Sequence, residues 1–263
     1  YTIDQQNAQN DQTACQTIAE KLVNDGNDLI LAIATPAAQS VAGKTTDIPI
    51  VLTAVTDPAE SGLVASNDAP GGNVTGTSDL TPVKEQMDLL KEVFPGCKSV
   101  GILYCSAEAN SVLQANMAKE ALEALGVAYE DFTVSSSNEI QTVVETAVGK
   151  VDALYAPTDN MIAAGMATVA MIANENGLPL IVGEEGMVKG GGLLSFSINY
   201  KALGIMTGEM GVKILNGEAK PSDIPVGGLK AEALSLVVNK TAAATAKITL
   251  PEALLSKADV VVE

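Results

Sequence analysis

The sequence contains no histidine, no tryptophan and no arginine, so all 15 of its cationic side chains are lysines. Without histidine, the commonest general base and metal ligand of proteins is missing. Without arginine, no guanidinium can clamp a carboxylate or a phosphate through two parallel hydrogen bonds. Any anion that this chain binds must therefore be held by backbone N–H groups, hydroxyls or lysine.

Positive charge is also scarce, because 32 acidic residues leave the chain with a net charge of −17. Nucleic acids and anionic membrane surfaces are bound through cationic patches, so we expect neither as a partner. No apolar run is long enough to span a membrane, so we expect neither a membrane span nor a signal peptide within these residues. The chain begins at Tyr1 as if within a longer sequence, so we expect any export signal to have been removed.

The three cysteines form neither a CxxC pair nor a metal-binding spacing, and Cys97 and Cys105 are too far apart to bridge across the strand between them. We therefore expect small, partly buried thiols and no metal site. The glycines at 71–72 and 190–192 lack the features of a phosphate loop, and no serine lies in a GxSxG elbow. We expect no cofactor.

Short apolar runs alternate with helical periodicity along the 263 residues, which are enough for one large domain or two ordinary ones. Strands are predicted at 1–7, 29–33, 49–53, 74–77, 99–104, 127–134, 151–156, 178–182, 191–197 and 235–238. Helices are predicted at 11–25, 36–41, 81–93, 110–125, 137–148, 159–174, 184–189, 199–215, 242–246 and 251–258. This alternation predicts an α/β fold with parallel sheets, and the restart near Lys98 indicates two such units joined by a crossover.

Two apolar strands in the first part of the chain, at 29–33 and 50–52, end in turns of small and hydroxyl-bearing residues. Continuous apolar strands predict burial on both faces of a parallel sheet, and ligands bind beyond the carboxyl ends of such strands. Backbone N–H groups at a helix start favour an anion there, although the threonines could merely cap tight turns. The candidate residues are Thr35, Ala37, Ala38, Thr53 and Ala54.

Strand ends in the second part carry polar groups of a different kind. Asp159 and Glu184 could each receive an ammonium, with Asn110 and Ser111 assisting. The alternative is that Asp159 is an N-cap and that Glu184 complements a helix dipole. One part thus suits a carboxylate and the other suits an ammonium, which is what a free amino acid requires.

Tyrosines near strand ends raise the question of the ligand's side chain. Tyr104, Tyr155 and Tyr200 could stack on an aromatic or large apolar group, or they could pack in the core or on the surface.

Several segments together resemble one family: 53–58 (TAVTDP), 70–76 (PGGNVTG), 108–111 (EANS), 156–160 (APTDN) and 250–255 (LPEALL). The resemblance runs from near residue 5 to the end of the chain. The family is that of ABC-transporter substrate-binding proteins with tryptophan- and phenylalanine-binding members.

The resemblance implies a type I periplasmic-binding-protein fold, with two Rossmann-like parallel-sheet lobes joined by a multi-strand hinge that closes on a cleft. Lobe one would be residues 1–79 plus 197–227, and lobe two would be 80–196 plus 228–263. The resemblance implies a further strand and helix ahead of the position of Tyr1, and we expect lobe one to lack both. The resemblance also implies an amino-acid-like ligand, an ABC permease as partner and an extracytoplasmic, often lipid-anchored protein.

We therefore predict a monomeric solute-binding protein of an ABC importer that holds a free amino acid between its lobes, and not an enzyme. Two alternatives stay open at this point. One is an enzyme for a small molecule that uses Asp159 or Glu184 as its general base. The other is a ligand-sensing receptor domain of the same fold.

Overall fold

The computed structural model describes residues 2–229 and 233–263. In chain order the helices are α1 (Gln12–Asn24), α2 (Thr35–Ala42), α3 (Val83–Val93), α4 (Ala109–Ala124), α5 (Ile140–Ala147), α6 (Asn160–Ala164), α7 (Met166–Glu175), α8 (Glu185–Lys189), α9 (Tyr200–Leu215), α10 (Lys240–Thr245) and α11 (Glu252–Lys257). The strands are β1 (Ile30–Ile33), β2 (Ile50–Val55), β3 (Val74–Ser78), β4 (Ser99–Cys105), β5 (Ala128–Val134), β6 (Ala153–Ala156), β7 (Leu180–Val182), β8 (Leu194–Ile198), β9 (Gly227–Gly228), β10 (Leu234–Asn239) and β11 (Val260–Val262).

The chain divides into two compact units. The first takes in the described residues up to Leu80 and the segment that begins at Asn199 and runs to residue 229. The second takes in Thr81–Ile198 and the described residues from 233 onward. Across the described ranges, no helix combines the length and the apolar character needed to cross a bilayer.

The first unit is built on a four-stranded parallel sheet in the order β1-β2-β3-β9. Helices α1 and α2 pack together over one face, and α9 packs against β2 and β3. The core on the α1–α2 side is formed by small and aliphatic side chains: Ala19, Ile30, Ala32, Ala38, Val41, Ile50, Leu52, Val55, Leu63 and Val74. The parallel order places the carboxyl ends of the strands at one edge of the sheet.

Strand β1 departs from the prediction that both of its faces are buried. Ile30 and Ala32 are buried, but Leu31 is 53% exposed and Ile33 is 59% exposed. Because β1 is the outermost strand on its side of the described sheet and α9 lies against β2 and β3, the second face of β1 stays open. The prediction is correct for Ile50–Leu52 of β2, which is buried throughout.

The amino-terminal strand predicted at 1–7 is not found, since residues 2–7 are neither helix nor strand and Tyr1 lies outside the described residues. A strand requires a partner for its backbone hydrogen bonds, and no described strand pairs with this polar segment. At the other end of the chain, β11 was not predicted, because a three-residue valine run carries no periodicity of its own.

The second unit contains a seven-stranded sheet in the order β11-β10-β8-β7-β6-β4-β5. Only the pairing of β8 with β10 is antiparallel among the described strand pairs. Alternate residues of β4 and β6 enter different cores: Ile102 and Tyr155 contribute to one, and Leu103 and Leu154 to the other. The sheet is therefore buried on both faces, as the apolar runs of this half predict.

The single helix predicted at 159–174 is wrong, because the chain breaks at Gly165 into α6 and α7. A Cβ atom on Gly165 would lie 2.5 Å from Cδ1 of Ile140, so the absence of a side chain lets Gly165 approach Ile140 of α5 closely. The helix predicted at 137–148 begins with a short 3-10 turn, Ser137–Glu139, whose N-cap is Ser136 in a capping box with Glu139.

The three cysteines are free thiols, with Cys97 and Cys105 buried and Cys15 partly buried. Burial raises the pKa of each thiol. A raised pKa keeps the thiol protonated and therefore poorly nucleophilic at neutral pH. These residues agree with the prediction of inert, partly buried cysteines.

Candidate functional site

The two predicted turns of the first unit lie side by side. Strands β1 and β2 are adjacent and parallel, and Ile33 pairs with Thr53 at their carboxyl ends. The N–H of Ala34 donates to the carbonyl of Thr53 at 3.0 Å, which ties the two turns together. The turns that carry Thr35 and Thr53 therefore form one continuous edge.

Backbone strain marks both turns. Ala34, between β1 and α2, has φ 76° and ψ 151°, and Ala54, in β2, has φ 52°. The β2–β3 register also shifts between Leu52 and Val55. Left-handed conformations of this kind cost of order 1–3 kcal/mol each in a residue other than glycine, and they cluster at ligand clamps. The strain thus falls at the two turns that the sequence marks as a ligand edge.

The donors of the first turn are fewer than predicted. The N–H of Ala38 donates to the carbonyl of Ala34 at 3.0 Å, so Ala38 offers no donor to a ligand. Pro36 has no N–H. Since the first N–H groups of a helix have no intrahelical acceptor, Thr35 and Ala37 supply the backbone donors of this turn.

A row of three threonine hydroxyls leads from Thr53 into the first unit. The hydroxyl of Thr77 in β3 donates to that of Thr53 at 3.1 Å. Thr77 and Thr207 of α9 are 2.8 Å apart, and the Thr207 hydroxyl also lies 2.9 Å from the carbonyl of Leu203. Thr53 is partly exposed, whereas Thr77 and Thr207 are buried. Thr77 and Thr207 were not predicted as site residues.

The predicted polar residues of the second unit lie at the carboxyl ends of β4, β6 and β7, which are neighbours in the sheet. Gly183, directly after β7, permits a close approach: a Cβ atom there would lie 2.4 Å from the backbone nitrogen of Thr158. The loop that carries Asp159 and the loop that carries Glu184 therefore touch.

Asp159 is only 2% exposed and begins helix α6 as its N-cap. Its carboxylate accepts the N–H of Cys105 at 2.6 Å and the N–H of Ile162 at 2.7 Å. Burial, followed by the neighbouring Glu108 carboxylate, raises the pKa of Asp159 to about 6, against the lowering effect of these N–H groups and the Ser111 hydroxyl. The group can thus change charge near neutral pH.

Glu184 is the N-cap of α8 and accepts the N–H of Gly186 at 2.5 Å and that of Met187 at 2.6 Å. Burial raises the pKa of this carboxyl as well. Both carboxylates therefore cap helices. For Asp159 this is the N-cap role given above as the alternative to ammonium binding. A carboxylate has lone pairs beyond two such bonds, so their role toward an ammonium stays a prediction.

Asn110 is buried, and its Nδ2 donates to the carbonyl of Thr158 at 3.0 Å and to the Ser111 hydroxyl at 3.2 Å. Its Oδ1 is buried without a hydrogen-bond partner in the described part of the chain. A buried acceptor of this kind costs free energy until a donor reaches it. Of the predicted residues, Asn110 thus has the clearest unfilled capacity for an ammonium.

Glu108 is a buried residue that the sequence reasoning missed. Its carboxylate accepts from Asn160 Nδ2 at 2.6 Å, from the Asn160 N–H at 3.1 Å and from the Met161 N–H at 3.0 Å. It thereby fixes the loop that follows β6 beside Asp159. Its place directly after an apolar strand, two residues before Asn110, was the signal available in the sequence.

Two of the three tyrosines considered as ligand contacts lie in the core of the second unit. Tyr155 is fully buried, and its hydroxyl donates to Gln86 Oε1 at 2.7 Å. Tyr104 is also buried, and Lys119 lies 5.6 Å from the centre of its ring. Both rings thus pack in the core, which was the alternative to stacking on a ligand. The proposal below therefore assigns neither ring a ligand contact.

Known proteins resemble this chain along its whole length. A model of the family described as ABC transporter substrate binding protein matches residues 1–262. The tyrosine-binding protein of Clostridioides difficile (strain R20291) is 42% identical over 238 residues, which make up 90% of this chain and 68% of that protein. The ABC domain of Streptococcus pneumonia in complex with L-Trp superposes with a TM-score of 0.94 at 41% identity, covering 100% of this chain and 90% of that one.

A more distant structure shows the breadth of the fold. The leucine-binding protein LivK of Thermotoga maritima MSB8 is 15% identical and superposes with a TM-score of 0.57, over 82% of this chain and 65% of that one. Together with the parallel sheets, this likeness confirms the predicted α/β fold of the type I periplasmic-binding-protein kind.

Proposed function

The chain belongs to the ABC transporter substrate-binding protein family, and from that premise we propose that it binds a free aromatic amino acid between its two units. The resemblance stated from the sequence is confirmed, and an enzyme based on Asp159 or Glu184 is set aside because proteins of this family bind solutes and are not enzymes. The choice of an aromatic ligand is supported by relatives named for tyrosine and solved with L-Trp.

The amino acid's carboxylate is held by the first unit in this proposal. Thr35 and Ala37 offer N–H groups at the start of α2, where the helix dipole favours negative charge. Thr53 adds a hydroxyl from the adjacent turn, and the strained backbone at Ala34 and Ala54 keeps the two turns in the shape required. The chain has no arginine, and in this proposal backbone and hydroxyl donors carry the charge.

The ammonium is held by the second unit. The observation that carries the proposal is the unpartnered Oδ1 of Asn110. The Nδ2 of the same residue lies 3.4 Å from the buried Glu108 carboxylate and donates to the carbonyl of Thr158, the residue before the buried Asp159. An ammonium has three donors and no acceptor, so it fits a site with an unfilled oxygen and negative charge nearby. Glu184, on the loop that touches the Asp159 loop, is a further acceptor.

In this proposal the two lobes close on the ligand, because each lobe holds one of its charged ends. Lobe one is residues 1–79 plus 197–227, and lobe two is residues 80–196 plus 228–263. The ligand satisfies both of its charged ends only when both lobes contact it, so binding favours the closed form. We further propose that the protein works as a monomer outside the cytoplasm, attached to the membrane at most through a lipid anchor, and delivers its ligand to an ABC permease for import. A ligand-sensing role of the same fold has no observation in its favour here.

The ligand can be identified without prior labelling. Native mass spectrometry of the purified protein should show a co-purified small molecule, and a thermal-shift screen of the twenty amino acids should then rank the candidates, because a bound ligand raises the unfolding midpoint by mass action. We expect L-tyrosine, L-tryptophan or L-phenylalanine to give the largest shift. Leucine is the control for simple apolar size. A screen in which no aromatic amino acid exceeds leucine would contradict the proposal.

A further inference from the structure

We infer that Thr77 and Thr207 are positioning residues that orient the hydroxyl of Thr53 as a donor to the ligand's carboxylate. This inference rests on the proposed function, because it requires Thr53 to contact that carboxylate. All three residues lie in the first unit, on β2, β3 and α9.

The number of hydroxyl protons limits how the three threonines can hydrogen-bond to one another. Each hydroxyl carries one proton and can accept from others through its lone pairs. For Thr77 to donate to Thr53 across their 3.1 Å contact, Thr207 must donate to Thr77 across 2.8 Å and release the Leu203 carbonyl. The row then runs from Thr207 through Thr77 to Thr53, and the proton of Thr53 points to an acceptor beyond the row.

The opposite direction is also available to the row when no anion is present. Thr207 can turn its proton to the Leu203 carbonyl at 2.9 Å, and Thr77 can then donate to Thr207. In that arrangement Thr53 would donate inward, to Thr77. A carboxylate next to Thr53 favours the outward direction, because a hydrogen bond to a charged acceptor is roughly twice as strong as one between neutral groups.

Burial makes the row sensitive to the loss of one member. Thr77 is 0% exposed, so water does not replace a missing hydroxyl there. With Thr77 replaced by valine, the Thr53 hydroxyl loses its internal donor and rotates without a preferred direction. A hydrogen bond of this kind contributes modestly, so the expected rise in the dissociation constant is about three- to tenfold.

Thr75 supplies a matched control on the same strand. It is fully buried like Thr77, but its hydroxyl donates to the Ile224 carbonyl at 2.6 Å and makes no hydrogen bond with Thr53 in the described structure. Thr75→Val therefore removes a buried hydroxyl from β3 without touching the row. It should lower the unfolding temperature about as much as Thr77→Val does and should change ligand affinity less than about twofold.

The experiment is calorimetric titration of wild type, Thr53→Val, Thr77→Val, Thr77→Ser, Thr75→Val and the double variant Thr53→Val/Thr77→Val with L-tyrosine and with L-tryptophan. We expect Thr77→Val to weaken binding and Thr77→Ser, which keeps the hydroxyl, to restore it. In the Thr53→Val background, Thr77→Val should have no further effect, since the residue acts through Thr53.

The outcomes separate this inference from the proposed function. Additive effects of Thr53→Val and Thr77→Val, or equal losses of affinity in Thr77→Val and Thr75→Val, would overturn the inference while Thr53 keeps its place in the site. An unchanged affinity in Thr53→Val would remove Thr53 from the site, and the inference with it. Failure of wild type to bind L-tyrosine, L-tryptophan or L-phenylalanine would overturn the proposed function itself.

Discussion

Acidification should weaken ligand binding through Asp159. Burial and the Glu108 carboxylate raise the pKa of Asp159 to about 6, so in the ligand-free protein this group is largely ionised at about pH 7.5 and largely protonated at about pH 5. The aromatic amino acid keeps its ammonium and carboxylate throughout that range. If the ammonium requires the ionised form, the dissociation constant should rise about tenfold between the two pH values, because the ionised fraction falls by about that factor.

The control is Asp159→Asn, which cannot titrate. Its affinity for L-tyrosine should be weaker than that of wild type at about pH 7.5 and nearly independent of pH. Glu184→Gln, measured over the same pH range, shows how much of the pH dependence comes from Glu184, the second carboxyl whose pKa is raised by burial. Calorimetry in buffers of matched ionic strength gives both curves. A wild-type affinity that stays constant down to about pH 5, or an Asp159→Asn curve that falls in parallel with wild type, would refute the reasoning.

On acidification, the contribution of Asp159 to folding stability should change in the opposite direction from ligand affinity, which gives a second, independent measurement. A carboxyl whose pKa is raised on folding binds its proton more tightly in the folded state. Its contribution to the free energy of unfolding is therefore present at acid pH and is lost as the pH rises through about 6. The difference in unfolding free energy between ligand-free wild type and Asp159→Asn should thus move in favour of wild type on acidification, while wild-type affinity falls.

Two further substitutions test particular contacts. Asp159→Ala should raise the dissociation constant for the ligand by tenfold or more, since a charge-assisted hydrogen bond is worth about 1.5–3 kcal/mol, and an unchanged constant in calorimetry would remove Asp159 from the site. Gly76→Ala should lower the free energy of unfolding by about 2–4 kcal/mol in urea titrations, because Gly76 has φ +148° and its Cβ would lie 2.0 Å from the Leu52 carbonyl oxygen. Gly72→Ala, where a Cβ meets nothing within 4 Å, is the control, and equal stability of the two variants would contradict the argument.

The order of helices and strands could be predicted from sequence because the periodicity of apolar residues is a local property. The exposure of Leu31 and Ile33 could not, since it depends on which strand lies at the edge of the sheet. The break at Gly165 was missed because a single glycine inside a helical pattern does not by itself show that the helix ends there.

The candidate site shows the same limit. The strand ends at Thr53 and Asp159 are marked in the sequence by turns and polar residues, so they could be selected. Whether a ring such as Tyr155 faces a ligand or the core depends on which face of the sheet it lies on, and the structure places it in the core. The hydroxyl row through Thr207 joins residues about 130 positions apart and has no local signal at all.

The most direct test of the proposed two-ended recognition is a calorimetric comparison of L-tyrosine with two truncated analogues. Tyramine lacks the carboxylate, and 3-(4-hydroxyphenyl)propionate lacks the ammonium. The account predicts that each analogue binds at least about a hundredfold more weakly than L-tyrosine, because each leaves buried donors or acceptors of the site without a partner. Binding of either analogue with an affinity close to that of the parent amino acid would contradict it.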